Sequence, residues 1–179
     1  MNRRKFYSDG FTLVELLIVI VIIGVLAGIS VAAYSGVQKS ARNTASLQEL
    51  NQWKRLFEVY RAQNGQFPPQ LTVGERYCLG KNFPKGAEGQ ERCRDYKSTS
   101  TGYLQASSDD LMTELQTVGS LPSGQHTPIR DVAGPYLSVG SSGIDFVGIF
   151  HGSVCPDSTR NVWTNSDNAV SLCASYVAI

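Results

Sequence analysis

The sequence predicts an α+β protein, a long N-terminal helix followed by a head built around a small antiparallel sheet. Three observations carry this reading. Residues 11–37 form a strongly apolar run with one charge, Glu15. From Gln38 to Asn64, apolar residues then recur every three or four positions, with no proline between the two stretches. Beyond Pro122, short apolar runs alternate with glycine, serine and asparagine, the signature of strands joined by turns.

The first stretch reads as a membrane segment. After Glu15 the next charge is Lys39, so the uncharged run exceeds the roughly 18–20 residues that span a bilayer as helix. It is also longer than the roughly 7–15 apolar residues of a secretory signal, and no Ala-x-Ala cleavage site follows it cleanly. The leader Met1 to Asp9 carries Arg3, Arg4 and Lys5, which places the N-terminus in the cytoplasm and everything after the span outside. The small residue Gly10 precedes the apolar run rather than following it.

The string Gly10-Phe11-Thr12-Leu13-Val14-Glu15 and the apolar run behind it, to about Tyr34, closely resemble the class III signal of type IV prepilins and pseudopilins. The resemblance implies a type IV pilin-like fold and a set of roles. A dedicated prepilin peptidase/methyltransferase cuts between Gly10 and Phe11, Phe11 becomes N-methylated, and the apolar helix stays on the mature chain. Glu15 matches the family's buried glutamate. Physical chemistry gives that glutamate a purpose. An acid inside a membrane helix costs roughly 2.5–3.5 kcal/mol, so it needs a partner or a proton. Cleavage would free an α-amine on Phe11 with an ordinary pKa of about 7.7–8.0, largely protonated at neutral pH. In low dielectric, that amine and the Glu15 carboxylate of an adjacent subunit attract far more strongly than in water. The expectation is that this pair sets the axial register of a helical filament. The alternative is a Glu15 neutralised by protonation near the membrane surface.

Residues 38–64 form the second, amphipathic half of the helix. Leu47, Leu50, Trp53, Leu56, Phe57 and Tyr60 mark one face, and Arg42, Glu49, Lys54, Arg55, Glu58 and Arg61 occupy the remaining positions. One helix from Phe11 to Asn64 would run about 80 Å, half in lipid and half offering a stripe on which a head packs. Gly24-x-x-x-Gly28 permits close helix approach in a membrane. Where the family often has a proline, this chain has Ala32. Asn64-Gly65 and Pro68-Pro69 end the helix. The order Tyr60, Gly65, Phe67, Pro68 is similar to the end of the long helix in pilins and pseudopilins.

The head is residues 65–179. From Gln70 to Ser107, glycines and polar residues predict an irregular connection with little core. Residues 108–118 read as a short helix capped by Ser107 or Ser108, with acids in its first turn and Gly119 closing it. Strands are expected at Tyr136–Val139, Ile144–His151 and Ala169–Val177, with Ser141-Ser142-Gly143 turning the first pair. Along the second strand, Ile144, Phe146 and Phe150 would share one face and Val147 and Ile149 the other. Four cysteines in an exported head favour disulfides. They allow three connectivities, of which the local pairing Cys78–Cys93 and Cys155–Cys173 is favoured. In type IV pilins a disulfide near the C-terminus encloses a surface loop used in contacts and recognition, so the resemblance points to residues 156–172 as an exposed loop.

Catalytic chemistry finds no footing. There is no Gly-x-Ser-x-Gly elbow, His-Glu-x-x-His helix or Walker loop. The two histidines, His126 and His151, read as a loop residue and a strand-end residue, and the cysteines lack zinc-type spacing. No cofactor or metal is expected. Some secretion pseudopilins hold calcium in a C-terminal loop, but Asp157, Asn165, Asp167 and Asn168 match no EF-hand string and read as turn residues. The 179 residues carry a formal charge of +1, and loss of Arg3, Arg4, Lys5 and Asp9 with the leader takes it to −1. Nothing in that balance argues for nucleic-acid binding. Arg92, Arg94 and Lys97 near Tyr96 are interleaved with Glu88, Glu91 and Asp95, and read as a solvated mixed-charge loop.

The expected function is therefore structural, not enzymatic: a subunit of a type IV pilus serving adhesion, twitching motility or DNA uptake. The partners that the resemblance implies are other pilin subunits, a platform protein and ATPase machinery, and the inner membrane before assembly. The alternatives are a pseudopilin of a type II secretion or competence system and, from another class, a membrane-anchored envelope binding domain.

Overall fold

In the computed structural model, the described residues are 11–86, 88–95, 97, 103–105, 109–124 and 128–179. The leader residues 1–10, Tyr96, the serine caps at 107 and 108, and His126 lie outside them. Helix α1 is Leu13–Asn64 and passes Ala32 without interruption. The chain divides into two compact units, one ending at Lys39 and the other Ser40–Ile179.

In the first unit the described side chains of residues 11–37 are all exposed. Beta-branched and leucine residues fill the helix circumference, so it has no single apolar stripe (Ile18, Ile20, Val21, Ile22, Ile23 and Val25 are each at least half exposed or nearly so). A helix that is apolar all round needs a non-aqueous surrounding on every side.

In the second unit the predicted stripe is buried. Leu50, Trp53, Leu56, Phe57 and Tyr60 lie inside, while Arg55, Glu58 and Arg61 face solvent. Gly65 ends α1 with φ of 75°, and its N–H donates to Arg61 O at 2.8 Å. The left-handed backbone there explains the glycine.

The strands are β1 (Arg76–Cys78), β2 (Arg92–Asp95), β3 (Tyr103–Gln105), β4 (Val132–Ala133), β5 (Tyr136–Val139), β6 (Gly143–His151), β7 (Arg160–Thr164) and β8 (Val170–Ala178), with α2 (Asp109–Gln116) between β3 and β4. They form a five-stranded antiparallel sheet in the order β1-β5-β6-β8-β7 and a three-stranded sheet β3-β2-β4. The β5–β6 turn closes with Gly140 N–H donating to Gly143 O at 2.8 Å. The α+β class is thus what the chain adopts.

The two faces of the larger sheet bury different things. Leu137, Val139, Ile144 and Phe146 join the α1 stripe, Leu79 and the α2 residues Leu111, Met112 and Leu115 in one core. Phe57 and Phe146 meet edge to face, with centroids 5.1 Å apart. Tyr136, Val147, Ile149, Val170, Leu172 and Ala174 point the other way and pack with Cys78, Cys93, Phe83 and Ala133. Gly148 leaves room on the helix side, where a Cβ would meet the Phe150 ring at 2.9 Å.

Two expectations are corrected here. The stretch 70–107 is not a connection with little core: it supplies β1, β2, β3 and the buried Leu79 and Phe83. Nor is Arg92 solvated. Its backbone pairs within the small sheet, and its side chain is buried, bonded to Glu88 at 2.7 Å. Gly86 makes the space, since a Cβ there would lie 2.6 Å from Arg92 Cδ. Arg92 and Cys93 are buried in succession at the start of β2, and a paired acid makes the arginine's burial tolerable.

Candidate functional site

Phe11 is the first described residue and is 84% exposed. Next to it, Thr12 and Glu15 form a reciprocal cap on α1. Thr12 N–H and Thr12 Oγ1 both donate to Glu15 Oε2, at 2.9 and 2.7 Å, and Glu15 N–H donates to Thr12 Oγ1 at 3.3 Å. This is a capping box, Thr-x-x-Glu, in which two otherwise orphaned backbone donors are satisfied. The string is present in the sequence, and it gives Glu15 a partner within its own chain besides the intermolecular amine or the proton expected for it. The cap keeps the carboxylate of a lone chain at the very end of the helix, beside Phe11.

Along the rest of the apolar segment, a Cβ built at Gly24, Gly28 or Gly36 would meet nothing within 4 Å among the described residues beyond its chain neighbours and the helix's own backbone. The hydroxyl of Ser30 is returned to Leu26 O at 2.8 Å. Its polar group therefore presents no unmet demand to an apolar surrounding. The segment meets the length and composition of a membrane-crossing helix, at a mean hydropathy of 3.0.

Within the second unit, Cys78 is joined to Cys93 and Cys155 to Cys173. The first bridge ties an edge of the large sheet to the small sheet, and the second ties the β6–β7 connection to β8. Residues 156–172 are not one exposed loop. They include the edge strand β7 and the buried start of β8, with Val170 and Leu172 inside. The disulfide loop is pulled flat onto the sheet by this pairing, with a bulge between Asn161 and Trp163.

The oxygen-rich turn beyond β7 spends its oxygens on protein. Asn165 Oδ1 accepts from the N–H groups of Ala169 and Val170, at 2.8 and 2.9 Å, and Asp167 pairs with Arg130. Asp157 is exposed and remote from these contacts in sequence. Among the described residues, no group of three or more His, Cys, Asp or Glu side chains is placed to hold a metal ion. His151 ends β6, half-buried, where Asn43 clamps its backbone: His151 N–H donates to Asn43 Oδ1 at 2.7 Å, and Asn43 Nδ2 donates back to His151 O at 2.9 Å.

Two titratable contacts on α1 escaped the sequence. Tyr60 donates to Glu114 Oε1 at 2.5 Å, linking α1 to α2, and that carboxylate holds the phenol above its usual range. Glu49 is half-buried beneath Gly124, and burial pushes its carboxyl up to about 7 against the opposing pull of the Trp53 indole N–H at 3.4 Å. Its helical position gave no sign of this, because the cover comes from a segment 75 residues on, which no local pattern reveals.

Residues 6–31 match the family model of the prokaryotic N-terminal methylation motif, the class III signal of type IV pilins and pseudopilins. No curated protein sequence matches the chain, and no solved structure does. The motif implies processing by a prepilin peptidase and assembly into a pilus or pseudopilus in general.

Proposed function

We propose that the chain is a structural, non-enzymatic subunit of a type IV pilus. The observation that carries the reading is the combination of the methylation motif with a helix that starts at a capped glutamate and whose first 25 or so residues are otherwise apolar on all sides. Motif and helix together support a pilin-type or pseudopilin-type subunit and membrane anchoring.

In this reading Gly10–Phe11 is cut on the cytoplasmic side, and the mature chain waits in the inner membrane with its head outside. Assembly, driven by a platform protein and ATPase machinery, moves the Phe11–Ala33 segment from lipid into a bundle of like helices. Lipid and protein are equally apolar there, so the hydrophobic effect contributes little. Close packing at Gly24 and Gly28 and the Glu15–Phe11 amine pair supply the specificity. The fibre then presents the disulfide-stapled heads, for adhesion, motility or DNA uptake. Electron microscopy of cells labelled with an antibody to the head tests this. Decorated surface fibres are expected; label confined to the envelope would move the assignment to a secretion or competence pseudopilus.

A further inference from the structure

The outer face of the large sheet, away from α1, carries a flat aromatic platform beside a polar pair, and the small sheet does not cover it. Cross-strand partners share a face. Arg76 opposes Ser138, Ser138 opposes Asp145, and Asp145 opposes Tyr176, so one polar row crosses four strands. Tyr176 is 46% exposed, and its ring lies on Gly143, where a Cβ would meet ring carbons at 2.5 Å. Its hydroxyl donates to Ser142 O at 2.6 Å. One ring face is therefore packed on backbone, the other is open, and the hydroxyl stops the ring from swinging. Beside it, Arg160 reaches across β8 to Asp145 Oδ2 at 2.5 Å, while Asp145 Oδ1 is buried with no hydrogen-bond partner among the described residues. Trp163, opposite Leu172 on the same face, is 45% exposed about 13 Å along the strand direction from Tyr176.

We propose that this face is a carbohydrate-binding site that takes a pyranose oligosaccharide. One sugar ring lays its C–H face on the electron-rich Tyr176 ring. Adjacent hydroxyls of that sugar donate to Asp145 Oδ2, the oxygen on the exposed side that Arg160 also meets, and accept from Arg160, the acceptor-and-donor pair that a vicinal diol requires. Trp163 receives a sugar further along the chain. The Asp145 carboxylate at the centre of the patch disfavours a phosphate backbone. A ring lying flat and pinned offers a face to stack on, not a knob for a protein pocket. The inference is independent of whether the chain assembles into fibres.

The test uses the mature full-length chain in a zwitterionic detergent that contains no sugar, screened on an array of neutral and uronic-acid oligosaccharides, with the best binders then titrated by calorimetry. Saturable binding is expected, weakened at least about tenfold by Tyr176→Ala and by Asp145→Asn and changed less than about threefold by Tyr176→Phe. If Tyr176→Ala does not fold by circular dichroism, Arg160→Ala on the exposed edge strand makes the same comparison. Absence of binding across the array would overturn the proposal. So would binding indifferent to these substitutions, platform-dependent binding of a single-stranded oligodeoxynucleotide alone, or a Tyr176→Ala defect confined to subunit assembly.

Discussion

Helix α1 contains two solutions to the same problem of where to put apolar side chains. From Leu50 to Tyr60 its large apolar residues occupy one stripe and are covered by residues of their own chain. From Leu13 to Val37 they occupy every side and are covered by none of it. The difference teaches that the first stretch is written for a surrounding outside the chain, lipid or other helices, while the second is written for this head alone. Substitutions in the two stretches should therefore fail in different experiments.

The largest effect is expected at Glu15. Glu15→Ala leaves an unpaired amine in the helix bundle, a loss of about 3–5 kcal/mol per subunit by analogy with broken buried ion pairs. Membrane fractionation and fibre yield should show normal insertion and cleavage with fibres lost, and full fibre yield would remove the pairing. Trp53→Ala tests the other stretch. It empties a fully buried site and should cost the head about 3–5 kcal/mol in urea unfolding, with processing at Phe11 unchanged. A head that tolerated it would break the contrast between the stretches.

Replacing both cysteines of either bridge comes next. The bridged positions are 15 and 18 residues apart, so each loss should lower stability by about 3 kcal/mol, read as a lower denaturation midpoint without reductant. Smallest is a pH effect at Glu49, which shares a cleft with Arg42 and His151. Its folded value of about 7 lies above the ordinary 4.5, so the native state holds the proton longer than the unfolded chain. Stability should therefore fall as pH rises from about 4.5 through about 7. Glu49→Gln should remove that slope, gaining about 1 kcal/mol at pH 8 after allowance for partial exposure and almost nothing at pH 4. An unchanged slope would place the carboxyl in water.

The sequence was legible where a pattern is long or a string is specific. The apolar run, the 3–4 spacing through Tyr60, the nine-residue strands β6 and β8, and the short but apolar β5 beside its Ser-Ser-Gly turn each show themselves within one window of chain. The edges of β6 and β8 fall within a residue of the expectation. What stayed hidden is short or non-local. Strands β1 to β4 have two to four residues, too few for alternation to register, and their pairing depends on partners as far away as Ser138. Strand β7 falls inside the loop expected at 156–172 because it is a five-residue edge with its residues mostly in solvent, so no buried alternation marks it. Arg92 and Glu49 look exposed in sequence because their covers, Glu88 with Gly86 and Gly124, act through folded geometry. Near the motif, Glu15 stands out by its isolation in an apolar run and by the string that resembles a class III signal, whereas its hydrogen bond to Thr12, only three positions away, shows in the folded chain.

The central claim is that the apolar stretch is kept on the mature chain and buried among copies of itself, starting from a freed Phe11 amine. The intact mass and N-terminal sequence of the protein isolated from its native cells test this most directly. The account predicts a chain that begins at N-methylated Phe11 and is recovered in fibres. A chain that retains Met1 and residues 2–10 would contradict it.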